Sequence, residues 1–180
     1  MRVIAGAYRG RRLAAPPGTA TRPTSDRVRE ALFSILGRVD GLAVLDLFAG
    51  SGALGIEALS RGASRAVFVE RAAPALAVLR KNLDALALLS DVAIVVPGDA
   101  RQALRAARRS RETYDLVFLD PPYRRAAQLA GDLSKALPGV LAAGGRVVSE
   151  SDRRTPLELD LALADERRYG DTVIRIHSRE

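Results

Sequence analysis

The chain has 180 residues, 48% hydrophobic and 27% charged, with no cysteine and a single histidine, His177. That length favours one core over two; the missing thiols exclude disulfides and thiolate metal sites, and one histidine argues against a catalytic triad or a histidine-rich centre, so no metal is expected. No apolar run approaches the ~18 residues of a membrane span and none follows the N-terminal arginines as in a signal peptide, so a cytoplasmic protein with no membrane partner is expected. Of the net charge of +7, most lies in residues 1–30, where seven arginines face only Asp26 and Glu30. Basic charge gathered at one end suits a polyanionic partner; a coding bias enriching arginine and alanine throughout is the alternative.

Residues 1–24 read as a basic extension punctuated by Gly and Pro, with Arg2–Ala5 and Arg11–Ala14 able to pair as a hairpin around Gly6–Gly10. Residues 25–180 read as one further domain. Val28, Ala31, Leu32, Ile35 and Leu36 recur at helical spacing, so a helix starts near Ser25 or Asp26 and ends before Gly37. Strands and helices then alternate. Strands are expected at Ala43–Leu47, Ala66–Val69, Val92–Val96, Tyr114–Leu119 and Arg146–Ser149. Helices are expected from Ala53 to Gly62, from Pro74 through Leu76, Leu79, Leu83 and Leu86, at Ala100–Arg109 and at Ala126–Leu137. Largely apolar strands separated by helices indicate a parallel sheet covered on both faces. Glu166–Tyr169 and Thr172–Ile176, joined by Gly170-Asp171, suit an antiparallel hairpin closing the sheet. The fold class is thus α/β, doubly wound and Rossmann-like.

Gly50, Gly52 and Gly55 spell G-x-G-x-x-G between the first of these strands and its helix. Glycines allow a tight turn and close backbone approach, and the helix N-terminus offers unpaired N–H groups. Glu70, ending the next strand, could accept from both ribose hydroxyls. Together they indicate an adenosine-containing ligand, either a nicotinamide dinucleotide or S-adenosylmethionine. Asp46, just before the turn in Asp46-Leu47-Phe48-Ala49-Gly50-Ser51-Gly52, favours the second, since it would attract a cationic amino-acid moiety and repel a pyrophosphate. Asp99, before Ala100, could accept from an adenine amino group or simply cap a helix.

Asp120-Pro121-Pro122-Tyr123 ends the fourth strand, at the sheet edge where open α/β folds bind ligands. An exocyclic amine on a base is a weak nucleophile because its lone pair is delocalised. The Asp120 carboxylate and Pro121 carbonyl can both accept from it, favouring pyramidal nitrogen and offsetting the charge that develops on methylation. Pro121 and Pro122 hold the acceptors rigid, and Tyr123 offers a stacking face for an extruded base. Asp-Pro-Pro is also a common loop sequence; its position after a cofactor turn favours catalysis. Arg101, Arg105 and Arg108 read as a solvated stripe, and His177 as structural.

These segments resemble the RsmD-type 16S ribosomal RNA guanine-N2 methyltransferases. The resemblance covers nearly the whole chain, through Arg9-Gly10-Arg11-Arg12-Leu13, Arg22-Pro23-Thr24-Ser25-Asp26-Arg27-Val28-Arg29-Glu30-Ala31-Leu32-Phe33, the Asp46–Ala63 segment, Asp120–Tyr123 and Tyr169–Thr172. The glycine turn and Asp-Pro-Pro-Tyr occur in many amino-group methyltransferases; the Arg22–Phe33 stretch is far more specific. The resemblance implies a seven-stranded class I methyltransferase using S-adenosylmethionine. Its implied target is N2 of the guanine usually numbered 966, in 16S rRNA of the 30S subunit or an assembly intermediate, and a monomer is expected. It implies cofactor contacts from Asp46, Phe48, Ala49, Gly50, Ser51, Gly52, Gly55, Glu70, Asp99 and Ala100. RNA contacts are expected from Arg9, Arg11, Arg12, Arg22, Arg27 and Arg29. The nearest rival is an adenine-N6 methyltransferase acting on DNA or RNA.

Overall fold

The computed structural model describes residues 1–16, 26–88, 90–122 and 126–179; Arg22, Ser25 and Tyr123 fall outside them. After α1 (Asp26–Leu36) come β1 (Ala43–Asp46), α2 (Ala53–Ser60), β2 (Arg65–Glu70), α3 (Ala73–Ala85), β3 (Ala93–Pro97), α4 (Ala100–Ser110) and β4 (Tyr114–Leu119). Then follow α5 (Ala126–Ala136), β5 (Leu141–Asp152), β6 (Ala162–Tyr169) and β7 (Thr172–Ser178). The seven strands form one sheet in the order β3-β2-β1-β4-β5-β7-β6. Strands β1 to β5 pair in parallel, while β7 runs antiparallel to both β5 and β6. This is the expected doubly wound sheet closed by a hairpin.

The strands are apolar throughout because both faces are covered. Val44, Phe68, Phe118, Val148 and Ile174 pack with residues of α1, α2 and α3; Leu45, Val67, Val117 and Val147 pack with those of α4 and α5. Two strands run longer than their patterns suggest. Residues 141–145 join β5 across a register shift opposite Tyr114 and Leu116, where Gly144 has a φ of +70°. Ala162–Asp165 join β6 because β7 offers them backbone partners, although their side chains are exposed or half-buried and show no apolar alternation.

Within the basic extension the described residues form a minimal hairpin, with Arg2 bridged to Arg12 and the Leu13 N–H donating to the Met1 carbonyl at 3.1 Å. This hairpin is packed against the domain. Val3 and Leu13 are 1% and 5% exposed within the same apolar cluster as α1 to α3, each contributing about 1.5–3 kcal/mol by burial. At Gly6, with φ +83°, a Cβ would stand 1.7 Å from the Ser60 carbonyl oxygen. Only glycine therefore lets the hairpin lie this close to α2.

The polar anchor is Glu57 of α2, 1% exposed. Its Oε2 accepts from the Ile4 N–H at 2.8 Å and its Oε1 from the Ala5 N–H at 3.1 Å and from Arg61 Nε at 2.7 Å. Arg29 Nε stands 3.9 Å from Glu57 Oε2. Arg29 is itself fully buried; its guanidinium also donates to the Arg2 carbonyl and to Asp26 Oδ1 at 3.0 Å. Burial lowers its pKa, while Glu57 and Asp26 pull the other way. This corrects the expectation of an RNA contact at Arg29: its guanidinium is enclosed within the chain, fastening the hairpin to α1 and α2. Removing one member of a buried charge group strands the rest, at about 3–5 kcal/mol. Glu57→Ala should therefore lower unfolding stability by about that amount and expose residues 1–13 to protease; an unchanged denaturant midpoint would contradict this anchor.

Candidate active site

Strands β1 and β4 are sheet neighbours, yet β1 feeds α2 on one face and β4 feeds α5 on the other. Their carboxyl ends consequently part into a crevice, the usual ligand position in such sheets. A cavity of about 330 Å³ occupies it. Of the expected cofactor residues, Phe48, Gly50, Glu70, Asp99 and Ala100 line this cavity, and Asp120, Pro121 and Pro122 line it as well. The two separate segments thus share one space. Tyr123 lies outside the described residues.

The other expected cofactor residues build the turn behind the wall. Asp46 is 2% exposed, and its Oδ2 accepts from the Gly55 N–H at 3.2 Å, drawing the first turn of α2 onto the end of β1. Gly52 has φ +84°, and a Cβ there would stand 2.5 Å from Leu79. A Cβ on Gly55 would meet the Phe68 ring at 2.3 Å, so this glycine serves helix-to-strand packing. The Ala49 N–H donates to the Val69 carbonyl at 3.0 Å, and the Ser51 carbonyl faces inward to Asn82.

At the rim, Glu70 Oε2 accepts from the Gly50 N–H at 2.9 Å, and Oε1 from the Arg71 and Ala72 N–H groups at 2.8 and 2.7 Å. A carboxylate so held is rigid, and a ligand hydroxyl binding it also addresses the glycine turn. Asp99 caps α4, accepting from the Arg101 N–H at 2.9 Å; Arg101 Nε, 3.5 Å away, approaches the same Oδ1. The cap and the cavity wall are one residue, so the two readings of Asp99 are compatible.

The electrostatics are acidic. Asp46 at the end of β1, Asp120 just after β4 and Glu150 within β5 come side by side, since Asp46 pairs with Phe118 and Leu119 with Ser149 in register. Desolvation pushes the Asp46 carboxyl up to about 7 against the pull of the Gly55 and Phe48 amides. Asp120 also rises well above the usual carboxylate range, through desolvation first and then the neighbouring Glu150 and Asp46. A cation entering this crevice would relieve both. Glu150 was not anticipated: within a strand sequence it carries no signal until β4 is known to lie beside it. Among the described residues no three His, Asp or Glu side chains converge as a metal site.

The basic residues divide. Arg9 and Arg27 are exposed and, with Arg2, line a second cavity of about 420 Å³ beside Asp26 and Glu30. Arg12 is exposed, Arg11 donates to the Ala85 carbonyl at 2.7 Å, and Arg22 lies outside the described residues. Arg29, as above, is internal. Arg101 is paired with Asp99 and Asp132, and His177 on β7 is buried against the Leu161 carbonyl and does not line the cavity. No helix among the described residues is long and apolar enough to cross a membrane.

Similar proteins bear on this geometry. The Bacillus subtilis protein YlbH is 41% identical over 183 residues, covering 99% of both chains. Ribosomal RNA small subunit methyltransferase D of Escherichia coli K12 is 42% identical over 130 residues, 69% of this chain and 61% of that one. Among solved structures, the Thermus thermophilus hypothetical protein TTHA0928 superposes with a TM-score of 0.86 at 33% identity, over 99% of each chain. A more distant one, an RNA methyltransferase from Salinibacter ruber in complex with S-adenosyl-L-homocysteine, shares the fold at 21% identity and a TM-score of 0.65, covering 87% of this chain and 93% of that one. The family described as Conserved hypothetical protein 95 matches residues 1–178. The chain therefore belongs to that family, the RsmD-type family that its motifs resemble.

Proposed function

We propose that this protein methylates the N2 amine of a guanine in 16S rRNA, the one usually numbered 966, using S-adenosylmethionine. One observation carries the reading: Asp120, Pro121 and Pro122 line the same cavity as Gly50, Glu70 and Asp99. The cavity suits the cofactor, with Glu70 at the rim for ribose hydroxyls, Asp99 for an adenine amine, and the Asp46 field favouring a cationic centre. When bound, that sulfonium supplies an electrophilic methyl. The name of the Escherichia coli relative, which this chain matches over 61% of its length, supports ribosomal RNA as the substrate class.

The chain's own residues then act on the amine. The Asp120 carboxylate and the Pro121 carbonyl accept from its two N–H groups, which draws the lone pair out of conjugation. As nitrogen gains positive charge, the ionised Asp120 stabilises it and can take up the proton released. Its raised proton affinity suits that task. Asp120→Ala should lower the transfer rate by about 10²–10⁴-fold while S-adenosyl-L-homocysteine affinity stays within a few-fold by calorimetry. Near-normal transfer by that variant would contradict the assignment.

Asp46 gives a second expectation. Burial favours its protonated form, so the folded state binds more protons than the unfolded one between the ordinary value of 3.8 and about 7. The free protein should thus lose stability as pH rises through that window. A cationic ligand prefers ionised Asp46, so S-adenosylmethionine should bind more weakly as pH falls from about 8 to 6, with proton release measurable by calorimetry in buffers of different ionisation enthalpy. Asp46→Asn should weaken the dependence, leaving the part carried by Asp120; an unaltered pH profile in that variant would show that Asp46 does not contribute.

A further inference from the structure

Asn82, on α3, is 3% exposed and spends its whole carboxamide on two other segments. Its Oδ1 accepts from the Ala14 N–H at 2.8 Å; its Nδ2 donates to the Ala14 carbonyl at 3.1 Å and to the Ser51 carbonyl at 2.9 Å. Ala14 ends the N-terminal hairpin, and two residues later Pro16 lines the cofactor cavity. Ser51 lies in the glycine turn, next to Gly50, whose N–H is held by Glu70. A weaker link joins the same parts, from Ser51 Oγ to Met1 Sδ at 3.7 Å. One buried side chain thus reads a peptide of the hairpin and a carbonyl of the cofactor turn. Only an amide offers the required acceptor and two donors: aspartate would face the Ser51 and Ala14 carbonyls with no donor, and an apolar side chain would leave buried groups unpaired.

We infer that Asn82 is a positioning residue that makes the N-terminal hairpin and the cofactor turn one cooperative unit, so that filling the cavity tightens the hairpin and releasing the hairpin weakens the cavity. The linkage is reciprocal by thermodynamic necessity, and it would ready the basic surface of Arg2, Arg9 and Arg27 when cofactor is bound. The inference rests on reading the cavity as the cofactor site.

Hydrogen exchange of the whole protein, with and without S-adenosyl-L-homocysteine, tests it. In the wild type, saturating ligand should slow exchange at the Ile4, Ala5, Tyr8 and Ala14 amides by roughly tenfold, within the range of such couplings. In Asn82→Ala those amides should exchange faster and cease to respond, although the ligand still binds. Gly6→Ala supplies a perturbation remote from the cavity, where the added Cβ meets the Ser60 carbonyl. It should loosen the hairpin and weaken ligand binding, an effect lost when Asn82→Ala is already present. Ligand binding that leaves wild-type hairpin exchange unchanged, or Gly6→Ala with unaltered affinity, would overturn the inference alone. A wild type that binds no S-adenosyl-L-homocysteine would overturn the cofactor reading and the inference together.

Discussion

Two neighbouring parallel strands that turn to opposite faces cannot close the space between their ends, and the site depends on that constraint. Here β1 and β4 part after Asp46 and Leu119, opening the crevice between Phe48 on one side and Asp120 on the other. The same region brings three carboxylates together across adjacent strands, with Asp46 and Glu150 buried and Asp120 half-buried at the cavity wall. Such an arrangement is costly in the empty protein. It becomes favourable when a cation and a hydrogen-bond donor enter together, which is the chemistry of methyl transfer to an amine.

Around the crevice, rigidity comes from bonds that each serve two parts. Asp46 accepts from Gly55 and so ties the strand to the helix that follows it. Glu70 accepts from Gly50 and from the start of α3. Glu57 and Asn82 do the same between the core and the N-terminal hairpin. The hairpin is therefore packed and hydrogen-bonded into the domain, its arginines presented from a fixed base rather than from a flexible tail. That matters for a nucleic-acid partner, because a pre-ordered basic surface loses less entropy on binding.

What was legible in the sequence was local. Strand and helix order followed from apolar patterning, and the glycine turn and Asp120-Pro121-Pro122 stand where their strands end, as their spacing implied. What escaped was set by residues far apart in the chain. Arg29 counts as surface charge until Glu57, 28 residues on, is seen to enclose it with the hairpin. Asn82 reads as an ordinary helical polar residue, its partners lying 68 and 31 residues away. Glu150 stands beside Asp120 only through the β4–β5 register. A buried acid within an apolar helix, such as Glu57 in Leu54–Leu59, is the signal that could have been followed, since a buried carboxylate requires donors.

Methylation of a guanine amine in small-subunit ribosomal RNA is the activity proposed for the shared cavity. Its most direct test offers labelled S-adenosylmethionine with 30S subunits lacking the modification, naked 16S RNA and duplex DNA, and maps the labelled base. Label on N2 of a single 16S rRNA guanine is the expected result. Label on adenine N6 of DNA, or transfer to none of the three while the cofactor binds, would contradict it.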